Sequence, residues 1–135
     1  HLLYEEVDMD NRKAKVFIID DEEDFCHFVK LNLEHSGKFQ VLTATKALAG
    51  ITTAKAQAPD VILLDILMPD MDGSQVAESL LNDEATKRIP IIFLTALAQR
   101  KEVEDTNGII GGRTFIAKPV TPDELVKRIE EAIGK

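Results

Sequence analysis

Five short apolar runs recur along this chain about 20 to 30 residues apart, and most of the segments between them have helical periodicity. The runs are KVFIID (15–20), FQVLTA (39–44), DVILLD (60–65), IPIIFLTA (89–96) and RTFIAK (113–118). Most lack the in–out alternation of a half-solvated strand, so they suit a parallel sheet covered on both faces. Between the first two, Phe25, Phe28, Val29 and Leu33 fall on one helical face, and Gly37 follows as a C-terminal stop. Residues 45–57 read as a weaker helix whose apolar side includes Leu48 and Ile51, interrupted by Gly50 and stopped by Pro59. Val76, Leu80 and Leu81 mark a third helix, and residues 98–105 a short charged one. The last helix opens on Thr121 as cap, Pro122 at the first position and Glu124 as the return half of a capping box; Leu125, Ile129 and Ile133 form its apolar face. Right-handed crossovers turn this order into a three-layer α/β sandwich with a doubly wound, five-stranded parallel sheet. Residues 1–13 read as a tail, linker or scar, and 14–135 as one domain.

Bulk properties exclude several function classes. A length of 135 residues suits one domain, and a net charge of −8 argues against binding nucleic acid. No apolar run reaches the ~20 residues that cross a bilayer, and no signal peptide is visible. The single cysteine, Cys26, precludes an internal disulfide and accords with a cytoplasmic setting. It reads as apolar filling, and His27 and His35 as solvated.

In a doubly wound sheet, ligands bind at the carboxyl ends of the strands. The residues gathered there are Asp20 and Asp21, Asp65, Thr95 and Ala96, and Lys118 and Pro119. Singly each has a bland explanation: helix capping, strand propensity or turn chemistry. Together, three carboxylates would repel and drift toward protonation unless a hard divalent cation joined them. Adding a lysine and a hydroxyl makes a site able to neutralise a phosphoryl group. A carboxylate can itself be the nucleophile, and Asp65, ending a central strand, is the candidate.

At this point the chain resembles the receiver domains of two-component response regulators. The resemblance covers residues 14–134 and rests on Asp20-Asp21, DILMPDMDG (65–73), LTA (94–96) and FIAKP (115–119). It implies the flavodoxin-like strand order 2-1-3-4-5. It also implies that Asp65 accepts phosphate from a histidine kinase or histidine phosphotransfer protein. Asp21, Asp65 and the Leu67 carbonyl would hold Mg²⁺ (or Mn²⁺), with Asp20 acting through water. Thr95, the Ala96 N–H and Lys118 would hold phosphoryl oxygens, and Thr95 and Phe115 would act as switch residues. The affected face would be the expected helix at 98–105, the fifth strand and the last helix. That face would meet an output domain or protein, with room for homodimerisation on phosphorylation. Such a domain is a signalling phosphoacceptor rather than an enzyme, at most promoting its own phosphorylation and dephosphorylation. Pro69 and Gly73 would shape the loop after Asp65, Gly73 through an unusual φ, and Lys118-Pro119 is expected to be cis.

The chain departs from the common pattern in TNGIIGGRTF (106–115), in having Phe115 where many members have tyrosine, and in the apolar Leu67 and Leu97. Two alternatives remain. A haloacid dehalogenase-type phosphatase uses similar groups but places its nucleophile after the first strand. A pseudo-receiver that is never phosphorylated typically lacks one of the acids or the lysine. The sequence leaves open whether the domain stands alone or belongs to a longer protein.

Overall fold

Each apolar run becomes one strand of a parallel sheet with the order β2-β1-β3-β4-β5 in the computed structural model, which describes residues 12–96 and 114–134. The strands are β1 (Ala14–Ile19), β2 (Phe39–Ala44), β3 (Val61–Asp65), β4 (Ile91–Ala96) and β5 (Thr114–Lys118). The helices are α1 (Glu23–His35), α2 (Ala47–Gln57), α3 (Gly73–Leu81) and α4 (Pro122–Ala132). The helix expected at 98–105, the TNGIIGG segment and Leu97 lie outside the described residues.

Position in the sheet explains the burial patterns. β3, in the middle, is buried at every residue, and β4 at all but its last. β2 and β5 are edge strands, and their burial is broken by exposed positions. Successive side chains of a strand point to opposite faces, so the inner strands feed two cores. Phe17, Ile19, Ile62, Leu64 and Phe93 pack with Ile51 of α2 and Val76 and Leu80 of α3. Val16, Ile18, Leu63, Ile92 and Leu94 pack on the other side with Val29 and Leu33 of α1 and Leu125 and Ile129 of α4. Truncating a residue such as Leu80 to alanine would cost about 2–5 kcal/mol.

Helix ends follow local chemistry, with three departures from expectation. α1 stops where expected, with Gly37 at φ +80° just beyond the Ser36 cap. α2 presents Ala47, Gly50, Ile51 and Ala54 to the core, so Leu48 is 63% exposed instead of buried. Gly50 is no weak point: a Cβ there would lie 2.8 Å from Ile19 Cδ1, so its absence lets the helix approach β1 closely. At α4, Thr121 Oγ1 accepts from the Glu124 N–H at 3.2 Å, while the Glu124 carboxylate lies 3.6 Å from Arg128. A return bond of the capping-box kind occurs at α3, where Gln75 Oε1 accepts from the Asp72 N–H at 3.2 Å.

Candidate functional site

The carboxylates meet because β1 and β3 are neighbours in register. Ile19 pairs with Leu64, and the next residue on each strand is an acid. Asp20, Asp21 and Asp65 each offer an oxygen, and these oxygens lie within 4.8 Å of one another. Asp20 and Asp65 are buried and Asp21 is exposed, so the cluster opens to solvent on one side. Asp20 Oδ1 accepts from the Glu22 N–H at 2.9 Å, shaping the turn into α1.

Lys118 reaches this cluster from β5. Its Nζ lies 2.7 Å from Asp20 Oδ2, 2.5 Å from Glu22 Oε1 and 3.9 Å from Asp65 Oδ2. The ammonium also sits 4.6 Å from the centroid of the Phe25 ring, within cation–π range. Burial alone would lower its pKa, but the bonds to Asp20 and Glu22 outweigh that and raise it. The lysine is therefore charged and shared unequally, nearest to Glu22 and Asp20.

Asp65 is left poorly compensated. Burial first, then the Asp20 charge, pushes its pKa from 3.8 to about 7, against smaller opposing effects of Lys118 and the Leu67 N–H. That N–H donates to Asp65 Oδ1 at 3.3 Å. Asp20 Oδ2, although in ion-pair contact with Lys118, is buried without an aligned hydrogen-bond donor. Three carboxylates and Glu22 face one ammonium, and a buried oxygen lacks a donor. A hard divalent cation with oxygen ligands fits these residues.

The remaining expected residues fall as follows. Thr95 is buried at the end of β4, with its hydroxyl donating to the Ala96 carbonyl at 3.0 Å; Ala96 itself is exposed. Phe115 is half-buried against Phe93, ring centroids 5.6 Å apart, and its carbonyl accepts from Arg128 Nη2 at 2.8 Å. The Lys118-Pro119 bond is cis. Leu67 is 48% exposed beside the acids. Pro69 is exposed in the same loop. Gly73 is required for a different reason than expected. Its φ is not positive; instead a Cβ would lie 2.6 Å from the Asp65 carbonyl oxygen and 2.7 Å from Ile66 Cα. The close approach lets the Gly73 N–H donate to the Ile66 carbonyl at 2.7 Å, folding the loop back onto the strand end. His27 and His35 are exposed, and Cys26 is buried with its thiol pushed up to about 12 by burial and then by Asp20.

Three contacts had not been read from the sequence. Glu22 and Phe25 hold Lys118, and Asp70 Oδ2 accepts from the Ala47 N–H at 2.9 Å, tying the loop after β3 to the start of α2. The acidic run 20–24 hinted at Glu22, but nothing in one sequence tells which of its acids a lysine some 96 residues away will meet.

Comparison with known proteins bears on this geometry. The profile of the response regulator receiver domain matches residues 16–130. PilH of Pseudomonas aeruginosa is 34% identical over 122 residues, covering 90% of this chain and 98% of that protein. The transcriptional regulator RpaA of Synechocystis is 33% identical, over 90% of this chain but 49% of its own length. The chain thus spans about half the length of several curated relatives. Among solved structures, the receiver domain of a sensor histidine kinase from Pseudomonas aeruginosa, with a magnesium ion coordinated in its active-site cleft, superposes with a TM-score of 0.80 at 26% identity; the match covers 91% of this chain and 99% of that one. Chemotaxis protein CheY4 of Vibrio cholerae gives a TM-score of 0.76, also at 26% identity, over 89% of this chain and 98% of that one. With the acids, the threonine and the lysine at the strand ends of a 2-1-3-4-5 sheet, this chain belongs to the response regulator receiver domain family.

Proposed function

We propose that residues 14–135 form a phosphoacceptor domain in which Asp65 takes a phosphoryl group from the phosphohistidine of a kinase or phosphotransfer protein. The observation that carries this reading is the placement of Asp65. It ends the central strand, its oxygens lie within 4.8 Å of those of Asp20 and Asp21, and Lys118 stands 3.9 Å away. An Asp65 carboxylate oxygen attacks phosphorus, the P–N bond to the donor imidazole breaks, and the imidazole leaves with the electron pair and takes a proton. Little more is required of the protein than placement and charge stabilisation.

Asp20, Asp21, Asp65 and the Leu67 carbonyl are the groups we assign to Mg²⁺ (or Mn²⁺), with Asp20 acting largely through water. Such an ion, when bound, keeps Asp65 ionised and offsets charge on the phosphoryl oxygens. Thr95, the Ala96 N–H and Lys118 are assigned to those oxygens. Phosphorylation would draw in Thr95 and let Phe115 turn inward, a two-state shift that needs only a few kcal/mol. The responding face includes β5 and α4. It carries an open groove of about 700 Å³ lined in part by Phe115, Val120, Glu124 and Arg128, which supports its use by an output domain, output protein or second copy. The proposed setting is the cytoplasm. No described helix is long and apolar enough to cross a membrane.

The decisive experiment is intact mass after incubation with acetyl phosphate and Mg²⁺. A gain of one phosphoryl group by the wild type, absent in Asp65→Asn, is expected. The amide is nearly isosteric with the carboxylate but is no usable nucleophile. No gain by the wild type would leave the pseudo-receiver reading, and phosphate on the Asp65→Asn variant at the wild-type rate would move the site elsewhere.

A further inference from the structure

Lys118 rests in a seat whose parts come from the turn between β1 and α1 and from the first turn of α1. Asp20 Oδ2 lies 2.7 Å and Glu22 Oε1 2.5 Å from its Nζ, and the Phe25 ring centroid 4.6 Å away. Asp65 Oδ2 is farther, at 3.9 Å. The seat therefore holds the ammonium on the β1 side of the acid cluster. Two of its groups, Glu22 and Phe25, are not among the residues assigned above to the phosphoryl group or the metal.

We propose that Glu22 is a positioning residue that parks Lys118 away from Asp65, so that an incoming phosphoryl group must compete with the Glu22 carboxylate for the ammonium. This rests on the phosphoacceptor reading above and adds a residue to it. Glu22 differs from Asp20 in one respect that matters. Asp20 is buried and fixed, whereas the Glu22 side chain is 62% exposed, so it can be pulled away at little cost. Its backbone, by contrast, is held by the Glu22 N–H to Asp20 Oδ1 bond of 2.9 Å, which keeps the carboxylate within reach of the lysine. A carboxylate that is tethered but solvated makes a weak, reversible hold. Phe25 supports the parked position by offering its ring face without adding charge.

The test compares Glu22→Gln with Glu23→Gln. Both lose one exposed negative charge next to the site, but only the first removes a partner of Lys118. With acetyl phosphate below saturation and Mg²⁺ saturating, Glu22→Gln is expected to gain phosphate roughly two- to five-fold faster than wild type, the range of an exposed ion pair. Glu23→Gln is expected to match wild type. A second readout needs neither donor nor metal. The Lys118 side-chain ¹³Cε resonance should move in Glu22→Gln and stay in place in Glu23→Gln, and thermal unfolding confirms that both variants are folded. A Glu22→Gln rate at or below wild type overturns the proposal, as does an equal gain in both variants, which would reflect overall charge alone. An unmoved Lys118 resonance in Glu22→Gln also overturns it. If the wild type takes no phosphate, the receiver reading itself fails and this one with it; if it does and Glu22→Gln gains nothing, only the role of Glu22 falls.

Discussion

The ends of β1 and β3 carry the same chemistry one step beyond the same register pair, yet the two acids are treated differently. Asp20 is fully buried and has Lys118 at 2.7 Å; Asp65 is 6% exposed and has the same ammonium at 3.9 Å. The lysine thus compensates the acid that is not the proposed nucleophile. Asp65, crowded by burial and by Asp20, is driven up to about 7. The difference teaches that this site is built with unequal charge compensation. One carboxylate has a close counter-ion from the protein, and the other is left largely uncompensated.

The largest effect should come from removing the shared cation. Lys118→Met leaves Asp20 buried and unpaired, which is expected to cost about 3 kcal/mol of metal-free stability at pH 8. Urea unfolding measures it, and a loss under about 0.5 kcal/mol would mean that Asp20 never depended on the lysine. The reverse sign is expected at the other strand end. Asp65→Asn should stabilise the metal-free protein by about 1–2 kcal/mol at pH 8, a share of the shift discounted because water reaches the cluster.

That gain must depend on pH in one direction. The folded pKa of Asp65 is raised, so the fold favours its protonated form. Its contribution to stability is fully present below its ordinary value of 3.8 and is lost as pH rises through about 7. The advantage of Asp65→Asn over wild type should therefore grow between pH 4 and 7 and level off above. An advantage that is flat across this window would place Asp65 in a compensated environment like that of Asp20.

Metal binding sharpens the same contrast by a comparable amount. If the cation settles Asp65, binding must displace its proton, so Mg²⁺ affinity should fall up to about tenfold per pH unit below 7 and level off above it. Calorimetry in two buffers of different ionisation enthalpy would count the proton released at pH 6.5, and a count near zero would remove Asp65 from the ligand set. The smallest effect concerns lifetime. Leu67, exposed beside Asp65, cannot orient a water for hydrolysis. Together with Leu97, two positions after Thr95 in the sequence as Leu67 is two after Asp65, it predicts a slowly self-dephosphorylating receiver. Loss of phosphate should quicken roughly several-fold in a Leu67→Asn, Leu97→Glu double variant with Mg²⁺ saturating; equal rates would leave the leucines a packing role only.

Much of this molecule was legible in the chain alone, for identifiable reasons. The buried runs announce a sheet covered on both faces because an inner strand has no solvent side to pattern. Asp20, Asp65, Thr95 and Lys118 stand out because a polar residue at the end of such a run is either turn chemistry or a site, and four of them at one sheet edge favour a site. Leu48 misled because helical periodicity reports apolar positions and cannot tell which stripe faces the sheet when alanine and glycine do the packing. Gly73 was rightly singled out and wrongly explained. A glycine in a sequence does not say whether it is there for its φ or for the 2.6 Å that a Cβ would leave to the Asp65 carbonyl.

The order of strands and helices and the identity of the acids, hydroxyl and lysine are properties of the sequence, because apolar periodicity and residue chemistry are local. How the charges are shared is not. Lys118 is separated from Glu22 by 96 positions, and the preference of its ammonium for Glu22 and Asp20 over Asp65 is settled by differences of about an ångström in a partly desolvated cluster. Parallel register, the close approach at Gly73 and the burial of Asp65 set those distances. They are long-range features that appear only when the five strands are assembled, which is why the unequal treatment of two neighbouring aspartates belongs to the tertiary structure.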